Sequence, residues 1–244
     1  MSLQNIRIVL VEPSHPGNIG GAARALKTMG LSRLVVVNPK RYPDPQAEWR
    51  AAGAQDVLAN VQVRDCLESA IDDCHWVVGT SSRQRRIPWP SADATTIAQE
   101  VLRQAGAGEV AVLFGRETSG LSNEELQRCH MHLQIPAFPD YPSLNLAMAV
   151  QVVCYEIYRH LNTGAVVNTQ WDRPPATVGA VEALLKHLER LLVETQFLDP
   201  ANPGQTMTRL RRLLTRVELD ATEVQMLRGV LTQLQKAPLG RSGQ

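Results

Sequence analysis

Short apolar runs recur along the first half of the chain, and stretches with helical periodicity separate them. Continuous runs of this length, without strict alternation, are typical of strands that are buried on both faces of a sheet. The runs predicted to be strands are Ile6–Val11, Leu34–Val37, Trp76–Val78, Val110–Phe114 and Leu133–Ile135. Because predicted strands and helices alternate, the pattern indicates an α/β fold built on a parallel sheet.

The periodic stretches between and after these runs predict helices. They are Ala22–Met29, Thr95–Gln104, Asn123–Arg128 and the longer apolar stretch Ser143–Leu161. Ser122 and Glu125 form a capping-box pattern at the start of the third helix. Ser143 is a natural N-cap for the fourth, so its hydroxyl has a structural explanation as well as a functional one.

The pattern changes near Thr163, where periodicity is lost and two consecutive prolines follow. Beyond them every periodic stretch is helical, beginning with a leucine stripe between Val181 and Leu192. A second helix follows a Pro/Gly loop, and Asp220 with Glu223 predicts the cap of a third. The sequence therefore predicts an α/β domain at 1–162, a linker at 163–176 and a small all-helical extension at 177–244.

Composition limits the classes of partner and compartment. The formal net charge is +1 at pH 7, so a polyanionic partner must be held by local basic patches. No apolar run reaches the roughly 18 residues that span a bilayer, so no membrane association is expected. The isolated cysteines indicate reduced thiols in a cytoplasmic protein, and they are Cys66, Cys74, Cys129 and Cys154.

A glycine-rich segment follows the first predicted strand and contains Gly17, Gly20 and Gly21. Glycines in such a loop often bring the backbone close to a phosphate or cofactor. The spacing is wrong for a dinucleotide fingerprint, the second strand ends in Asn38 and Pro39 without an acid, and no Gly-Lys-Ser/Thr follows. The pattern therefore disfavours a dinucleotide site and does not match a P-loop, while a plain tight turn into a helix remains open.

Three segments that follow predicted strands carry the strongest signal, because parallel sheets bind ligands at the carboxyl ends of their strands. They are "NIGGAARA" at Asn18–Ala25, "FGRETSGL" at Phe114–Leu121 and "IPAFPDYPSLNLAMA" at Ile135–Ala149. In this order they resemble the three motifs of the SpoU branch of the SPOUT methyltransferases. The resemblance covers residues 1 to about 160.

This resemblance implies a parallel-sheet SPOUT fold with a C-terminal trefoil knot, although knots are very rare in proteins. It also implies S-adenosylmethionine as cofactor and a homodimer with no other protein partner. With its helical extension, the chain resembles the members that methylate the ribose 2′-hydroxyl of cytidine or uridine at position 32 of the tRNA anticodon loop. Two alternatives stay open: another RNA target, such as ribosomal RNA or another tRNA position, and a non-catalytic RNA-binding module.

Motif matching assigns the site residues. The expected catalytic residues are Arg24, Asn18, Glu117, Ser143 and Asn145. The expected cofactor contacts are Thr80, Ser81, Ser82, Gly115, Ile135, Pro142, Ser143 and Leu144. Gly115 and Gly120 are interpreted as positions where the backbone passes close to the cofactor, and Glu117 as a group that orients Arg24 or Asn18.

The role of Arg24 stays open between two possibilities. A guanidinium is a poor base, because its pKa lies above about 12. Either contact with an RNA phosphate activates Arg24 as the base, or Arg24 clamps that phosphate and orients the hydroxyl.

Basic clusters are interpreted as phosphate contacts beside a ribose-methylating site, although such clusters are often only solvated faces. The expected RNA-binding residues are Arg83, Arg85, Arg86, Arg209, Arg211, Arg212 and Arg216. His130 and His132 alternate along the chain as metal ligands do, but a full ligand set is not evident and packing explains them better. No metal is expected.

Overall fold

A computed structural model describes residues 3–81, 89–161 and 173–236. Its strands form one sheet in which all neighbouring strands are parallel, in the order β3-β2-β1-β6-β4-β7-β5. The strands are β1 Ile6–Val11, β2 Arg33–Val37, β3 Gln62–Arg64, β4 Trp76–Thr80, β5 Ser91–Asp93, β6 Val110–Phe114 and β7 Met131–Gln134. The predicted parallel α/β sheet is confirmed.

Helices cover both faces of the sheet and continue beyond it. They are α1 Pro16–Thr28, α2 Pro45–Ala51, α3 Gln55–Ala59, α4 Leu67–Ile71, α5 Ala94–Ala105, α6 Asn123–Leu126, α7 Leu146–Leu161, α8 Val178–Glu194, α9 Thr206–Val217 and α10 Ala221–Lys236. Ile8 and Leu10 of β1 belong to one core cluster, while Val9 and Val11 belong to the cluster on the opposite face. The continuous apolar run of β1 therefore reflects burial on both faces. No helix in the described parts is long and apolar enough to cross a bilayer.

The two shortest strands were missed by the sequence pattern. β3 is exposed along its whole length, and β5 consists of Ser91, Ala92 and Asp93. Both lie at edges of the sheet, where a strand needs little apolar surface. Neither segment has the apolar run on which the strand predictions rested, so only pairing with β2 and β7 defines them.

The prediction of a glycine loop before the first helix was wrong, because α1 already begins at Pro16. Proline fits this first helical position, and the His15 ring accepts a hydrogen bond from the Gly17 N–H at 3.1 Å. A Cβ on Gly20 would lie 2.0 Å from the Ala47 carbonyl oxygen of α2, and one on Gly21 would lie 2.8 Å from the Ala147 Cβ of α7. These glycines therefore allow close packing between helices.

The helical extension α8–α10 docks at the amino ends of the strands. The Val178 N–H donates to the Cys74 carbonyl at 2.6 Å, just before β4 begins. Glu218, which ends α9, accepts hydrogen bonds from Trp76 of β4 at 3.2 Å and from Gln104 of α5 at 2.9 Å. The extension thus lies at the edge of the sheet opposite the carboxyl ends.

Two capping predictions are confirmed. Ser122 and Glu125 form a complete capping box at the start of α6. At the start of α10, the Asp220 side chain accepts from the Glu223 N–H at 2.7 Å, and Glu223 accepts from the Asp220 N–H at 2.9 Å. The predicted linker falls mainly outside the described residues, but Ala176 is already bonded to Leu219 of the extension at 2.9 Å.

Candidate active site

A cavity of about 410 Å³ opens at the carboxyl ends of β4, β6 and β7. This volume lies within the range of about 300–1,000 Å³ that is common for small-molecule sites. Phe114, Leu133, Ile135 and Leu146 supply apolar walls, and the rest of the lining includes hydroxyl-bearing residues together with the charged residues Arg116 and Glu117. The expected cofactor contacts that line it are Thr80, Ser81, Gly115, Ile135, Pro142, Ser143 and Leu144. Ser82 lies outside the described residues.

The turn after β6 forms one wall of this cavity. Arg116 and Gly120 pair with each other through both backbone hydrogen bonds, and Gly120 has a φ of +69°. A Cβ on Gly115 would lie 2.1 Å from the Gly120 carbonyl carbon. The close approach that requires glycine at position 115 is thus between two parts of the turn itself, and not only between the turn and a cofactor.

Arg116 ties this turn to two other elements. Its guanidinium bonds to Glu12 at the end of β1, at 2.6 and 3.0 Å, and to Glu125 of α6, at 3.0 Å for both oxygens. The hydrogen bond to Glu125, followed in size by the one to Glu12, raises the pKa of Arg116. The hydrogen bond from Arg116 lowers the pKa of Glu12. Such bidentate pairs fix geometry as well as charge.

A polar network beside the cavity joins three segments that are far apart in the chain. Glu117 accepts from the Asn18 side-chain amide at 2.9 Å. The Asn18 carbonyl oxygen in turn accepts from the Asn145 amide at 3.0 Å. Three of the five expected catalytic residues are therefore in direct contact, one from each of the three sequence motifs.

Glu117 is saturated with donors from the start of α1. Besides Asn18, it accepts from the Ser14 N–H at 3.0 Å, the Ser14 hydroxyl at 2.9 Å and the His15 N–H at 3.2 Å. Burial raises the pKa of Glu117, but these hydrogen bonds outweigh burial and lower the pKa to about 2. Glu117 is thus an ionised acceptor at neutral pH and has no proton to donate.

The cap of α7 differs from the prediction. The helix begins at Leu146, and the Asn145 side-chain oxygen accepts from the Ala147 N–H at 2.9 Å and the Met148 N–H at 3.4 Å. Asn145 is therefore the N-cap, and Ser143 lies two residues before it, in the cavity wall. Because the cap uses the oxygen of Asn145, its amide is oriented towards Asn18.

Arg24 lies two turns into α1, on the exposed face of the helix. Among the residues that the structure describes, it makes neither a hydrogen bond nor an ion pair. Of the two partners that the sequence analysis offered for Glu117, the structure brings Asn18 into contact, and Asn18, Ser14 and His15 occupy that carboxylate in place of Arg24.

The arginine clusters have different outcomes. Arg83, Arg85 and Arg86 lie outside the described residues. Arg209 and Arg216 are exposed on α9. Arg211 forms an ion pair with Glu182 of α8, so its charge is already neutralised within the extension. Burial also lowers the pKa of Arg211. Arg212 is half-buried and has an interaction within the chain.

The two histidines serve packing. His130 is buried, stacks on Trp76 and accepts from the Val77 N–H at 3.0 Å, and burial lowers its pKa to about 3. His132 stacks on Trp89 with ring centroids 5.7 Å apart. Within the described ranges, no group of three or more His, Cys, Asp or Glu residues is arranged to hold a metal.

The sequence analysis missed three residues of this site. Ser14 lies just before a proline that can start a helix. This pattern could have predicted a helix start there, with free N–H groups able to bind a carboxylate. Glu12 and Arg116 pair across 104 positions of the chain, and no local pattern reports such a contact.

Comparison with known proteins identifies relatives over nearly the whole chain. The SpoU rRNA Methylase family matches residues 5–155, and the tRNA methyltransferase TrmJ, C-terminal domain, matches residues 179–243. The tRNA (cytidine/uridine-2'-O-)-methyltransferase TrmJ of Pectobacterium atrosepticum is 48% identical over 96% of this chain and 98% of the relative. The tRNA (cytidine/uridine/adenosine-2'-O-)-methyltransferase TrmJ of Pseudomonas aeruginosa is 47% identical over 98% and 97%.

The structural comparison agrees with the sequence comparison. The crystal structure of TrmJ from Z. mobilis ZM4 has a TM-score of 0.82 and 34% sequence identity, covering 94% of this chain and 98% of that one. The sheet and its helical extension are thus similar to one solved protein as a whole.

Proposed function

The chain belongs to the SpoU rRNA Methylase family, and from this premise we propose that it methylates the ribose 2′-hydroxyl of cytidine or uridine at position 32 of the tRNA anticodon loop. The methyl donor is S-adenosylmethionine. The observation that carries this proposal is the polar network of Glu117, Asn18 and Asn145, which joins the first motif segment to the two motif segments that line the cavity. A tRNA substrate places the activity in the cytoplasm.

The choice of tRNA over another RNA is supported by the relatives. Two curated relatives at 47–48% identity are named tRNA 2'-O-methyltransferases, and their similarity extends through the helical extension. A chain that shared only the methylase domain would not support this choice.

The cavity fits S-adenosylmethionine. Its apolar walls suit an adenine ring, and the backbone groups of the turn at Gly115–Leu121 suit the ring's polar edges. Thr80, Ser81 and Ser143 supply hydroxyls elsewhere in the lining, and the Ser81 N–H is itself held by the Leu133 carbonyl at 2.9 Å. When bound, the cofactor supplies an electrophilic methyl group.

The chain's own residues position the RNA for in-line transfer. Glu117 fixes Asn18 and the start of α1, and Asn145 fixes Asn18 from the other side. Asn18 is thereby oriented towards the ribose. Arg24 clamps the neighbouring phosphate bidentately and presents the 2′-hydroxyl to the cavity.

The active unit is a homodimer with the trefoil knot that the family resemblance implies. Next to the cavity, α7 exposes a large apolar face: Met148 is 62% exposed and Tyr155 is 50% exposed. These residues are seven positions apart and thus lie on one side of the helix. Tyr141, in the segment before α7, is also 79% exposed. A second copy buries this face and completes the site.

The helical extension contacts the tRNA at positions far from the nucleotide that is methylated. Arg209 and Arg216 are exposed on α9, while the extension docks at the amino ends of the strands. Val110 to Phe114 of β6 alone spans about 13 Å. These arginines therefore contact phosphates distant from the target held at the same chain's cavity, or RNA bound at the partner's cavity.

The test uses unmodified tRNA transcripts, the purified protein and S-adenosylmethionine with a labelled methyl group. We expect one alkali-resistant dinucleotide that contains nucleotide 32. A matched transcript with a 2′-deoxy residue at position 32 must stay unlabelled, because the accepting oxygen is missing.

The other outcomes separate the alternatives. Label in ribosomal RNA with none in tRNA would favour another RNA target, and label at a different tRNA nucleotide would reject position 32. RNA binding without any label would favour a non-catalytic module.

A further inference from the structure

α2 exposes a large aromatic side chain beside the proposed active site. Trp49 is 78% exposed, although tryptophan is normally well buried. Ala47 and Ala51, one turn apart, are fully buried against α1. Trp49 lies midway between them in sequence, so helical geometry directs it away from α1 and into solvent.

Exposed cations lie close to this tryptophan along the chain. Arg50 follows it directly, and Lys40 and Arg41 lie in the loop between β2 and α2. We call Lys40, Arg41, Trp49 and Arg50 the α2 surface. Asp44 pairs with Arg41 at 2.8 Å.

The balance of charge on the α2 surface is positive. Glu48 is exposed on the same helix and Asp44 offsets Arg41, so Lys40 and Arg50 together exceed the remaining carboxylate by one charge. Because the whole chain carries only +1, a polyanion depends on local sites of this kind.

The α2 surface is continuous with the polar network. The Lys40 N–H donates to the Pro13 carbonyl at 3.2 Å, and Pro13 precedes Ser14, which binds Glu117. On the other side, the Arg50 Cγ lies 3.3 Å from where a Cβ on Gly17 would stand, one residue before Asn18. Lys40 and Arg50 therefore flank the start of α1, where Asn18 faces the RNA in the proposed function.

We propose that the α2 surface binds the single-stranded RNA next to the methylated nucleotide, with one unpaired base stacked on Trp49 and backbone phosphates on Arg50 and Lys40. Loop bases are free to unstack, and proteins that bind single strands combine aromatic platforms with cations in this way. A helix is about 10 Å across, so Trp49 reaches a neighbouring nucleotide and not the target itself. The inference rests on the proposed function. It adds Trp49 as a residue that binds the RNA next to the target nucleotide.

The first test is steady-state methylation with Trp49→Ala and Trp49→Phe. We expect Trp49→Ala to raise KM for tRNA by roughly 5- to 100-fold, the range that loss of one base–aromatic stack produces. kcat at saturating tRNA and the affinity for S-adenosylmethionine should stay unchanged, because the cavity does not include Trp49. Trp49→Phe should keep most of the affinity, since it retains an aromatic face.

The second test measures the salt dependence of tRNA binding. Arg50→Ala should lower the slope of log Kd against log salt by about 0.7, which corresponds to one lost phosphate contact on a single strand. Lys27→Ala is the matched control, because Lys27 is an exposed cation at the other end of α1 that pairs with Asp56. Its slope should equal that of the wild type.

Three results would overturn the proposal. One is an unchanged KM for tRNA in Trp49→Ala when the wild-type protein methylates tRNA. That result would reject the inference and leave the proposed function standing. Another is dissociation of the dimer by Trp49→Ala in sedimentation equilibrium, which would make the occupant a second copy of the chain. The last is absence of methyl transfer to tRNA by the wild type, which rejects the proposed function and this inference together.

Discussion

At the scale of single residues, Glu117 organises the proposed site. Its carboxylate accepts from two backbone N–H groups, a hydroxyl and an amide, all at the start of α1. These donors lie at the positive end of the helix, where a negative charge is favourable. The motif residue interpreted as an orienting group therefore orients Asn18 and the whole helix start, while Arg24 remains available to RNA.

Replacing Glu117 by Gln should lower kcat and destabilise the fold by about 1–3 kcal/mol at pH 7, because an amide leaves one donor unsatisfied. The ionised carboxylate has its full effect above its unfolded pKa near 4.5 and loses it as pH falls towards the folded value of about 2. The difference in unfolding free energy between wild type and variant should thus shrink between pH 4.5 and 2. Urea denaturation at several pH values measures it.

Glu124→Gln is the matched control, since Glu124 is an exposed carboxylate in the first turn of the nearby α6. It should leave kcat unchanged. A difference for Glu117→Gln that stays constant down to pH 2 would contradict the assigned ionisation.

At the scale of elements, packing between helices places the groups that are proposed to be catalytic. α1 carries Asn18 and Arg24, and it contacts α2 through Gly20 and α7 through Gly21. α7 in turn carries Asn145 as its own N-cap. The Asn18–Asn145 hydrogen bond therefore depends on how closely α1 and α7 approach, and the glycines set that distance.

Gly20→Ala should destabilise the protein by about 1–3 kcal/mol or more, because the new Cβ would lie 2.0 Å from the Ala47 carbonyl and force the helices apart. In an open helix the same change gains about 0.5–1 kcal/mol. Gly229→Ala in α10 is the control, since a Cβ there meets nothing within 4 Å and should stabilise. Denaturant unfolding of both variants gives the comparison, and a stabilised Gly20→Ala protein would refute the packing explanation.

At the scale of the whole molecule, the methylase sheet and the helical extension meet far from the cavity. Glu218 joins them: its carboxylate accepts from Trp76, Gln104 and Arg103 at 3.2, 2.9 and 3.3 Å. Its backbone has a φ of +55°, unusual for a residue other than glycine. Glu218 at the end of α9 thus supplies side-chain contacts to the docking site, beside the backbone contact of Val178 with Cys74.

Glu218→Ala should loosen the extension, since the Trp76 indole N–H loses its acceptor and Arg103 and Gln104, which keep Glu100, lose their bonds to α9. Hydrogen exchange should accelerate in residues 178–236, while affinity for S-adenosylmethionine should stay within about twofold of the wild type because the cavity is at the opposite edge of the sheet. Glu189→Ala, an exposed position on α8, is the control and should change neither. If Glu218→Ala weakened S-adenosylmethionine binding and left hydrogen exchange of the extension unchanged, Glu218 would not be the residue that docks the extension.

The sequence by itself determined the strands β1, β2, β4, β6 and β7, the helical extension and the three motif segments. Burial on both faces and helical periodicity are local properties, and a residue's neighbours in the chain report them. Only the tertiary structure decided the use of Gly20 and Gly21, the four donors on Glu117, the cap at Asn145 and the docking of Glu218. Each of these joins segments that are far apart along the chain, such as the 99 positions between Asn18 and Glu117. Contacts of that range arise from packing in three dimensions, which hydrophobic periodicity along the chain does not encode.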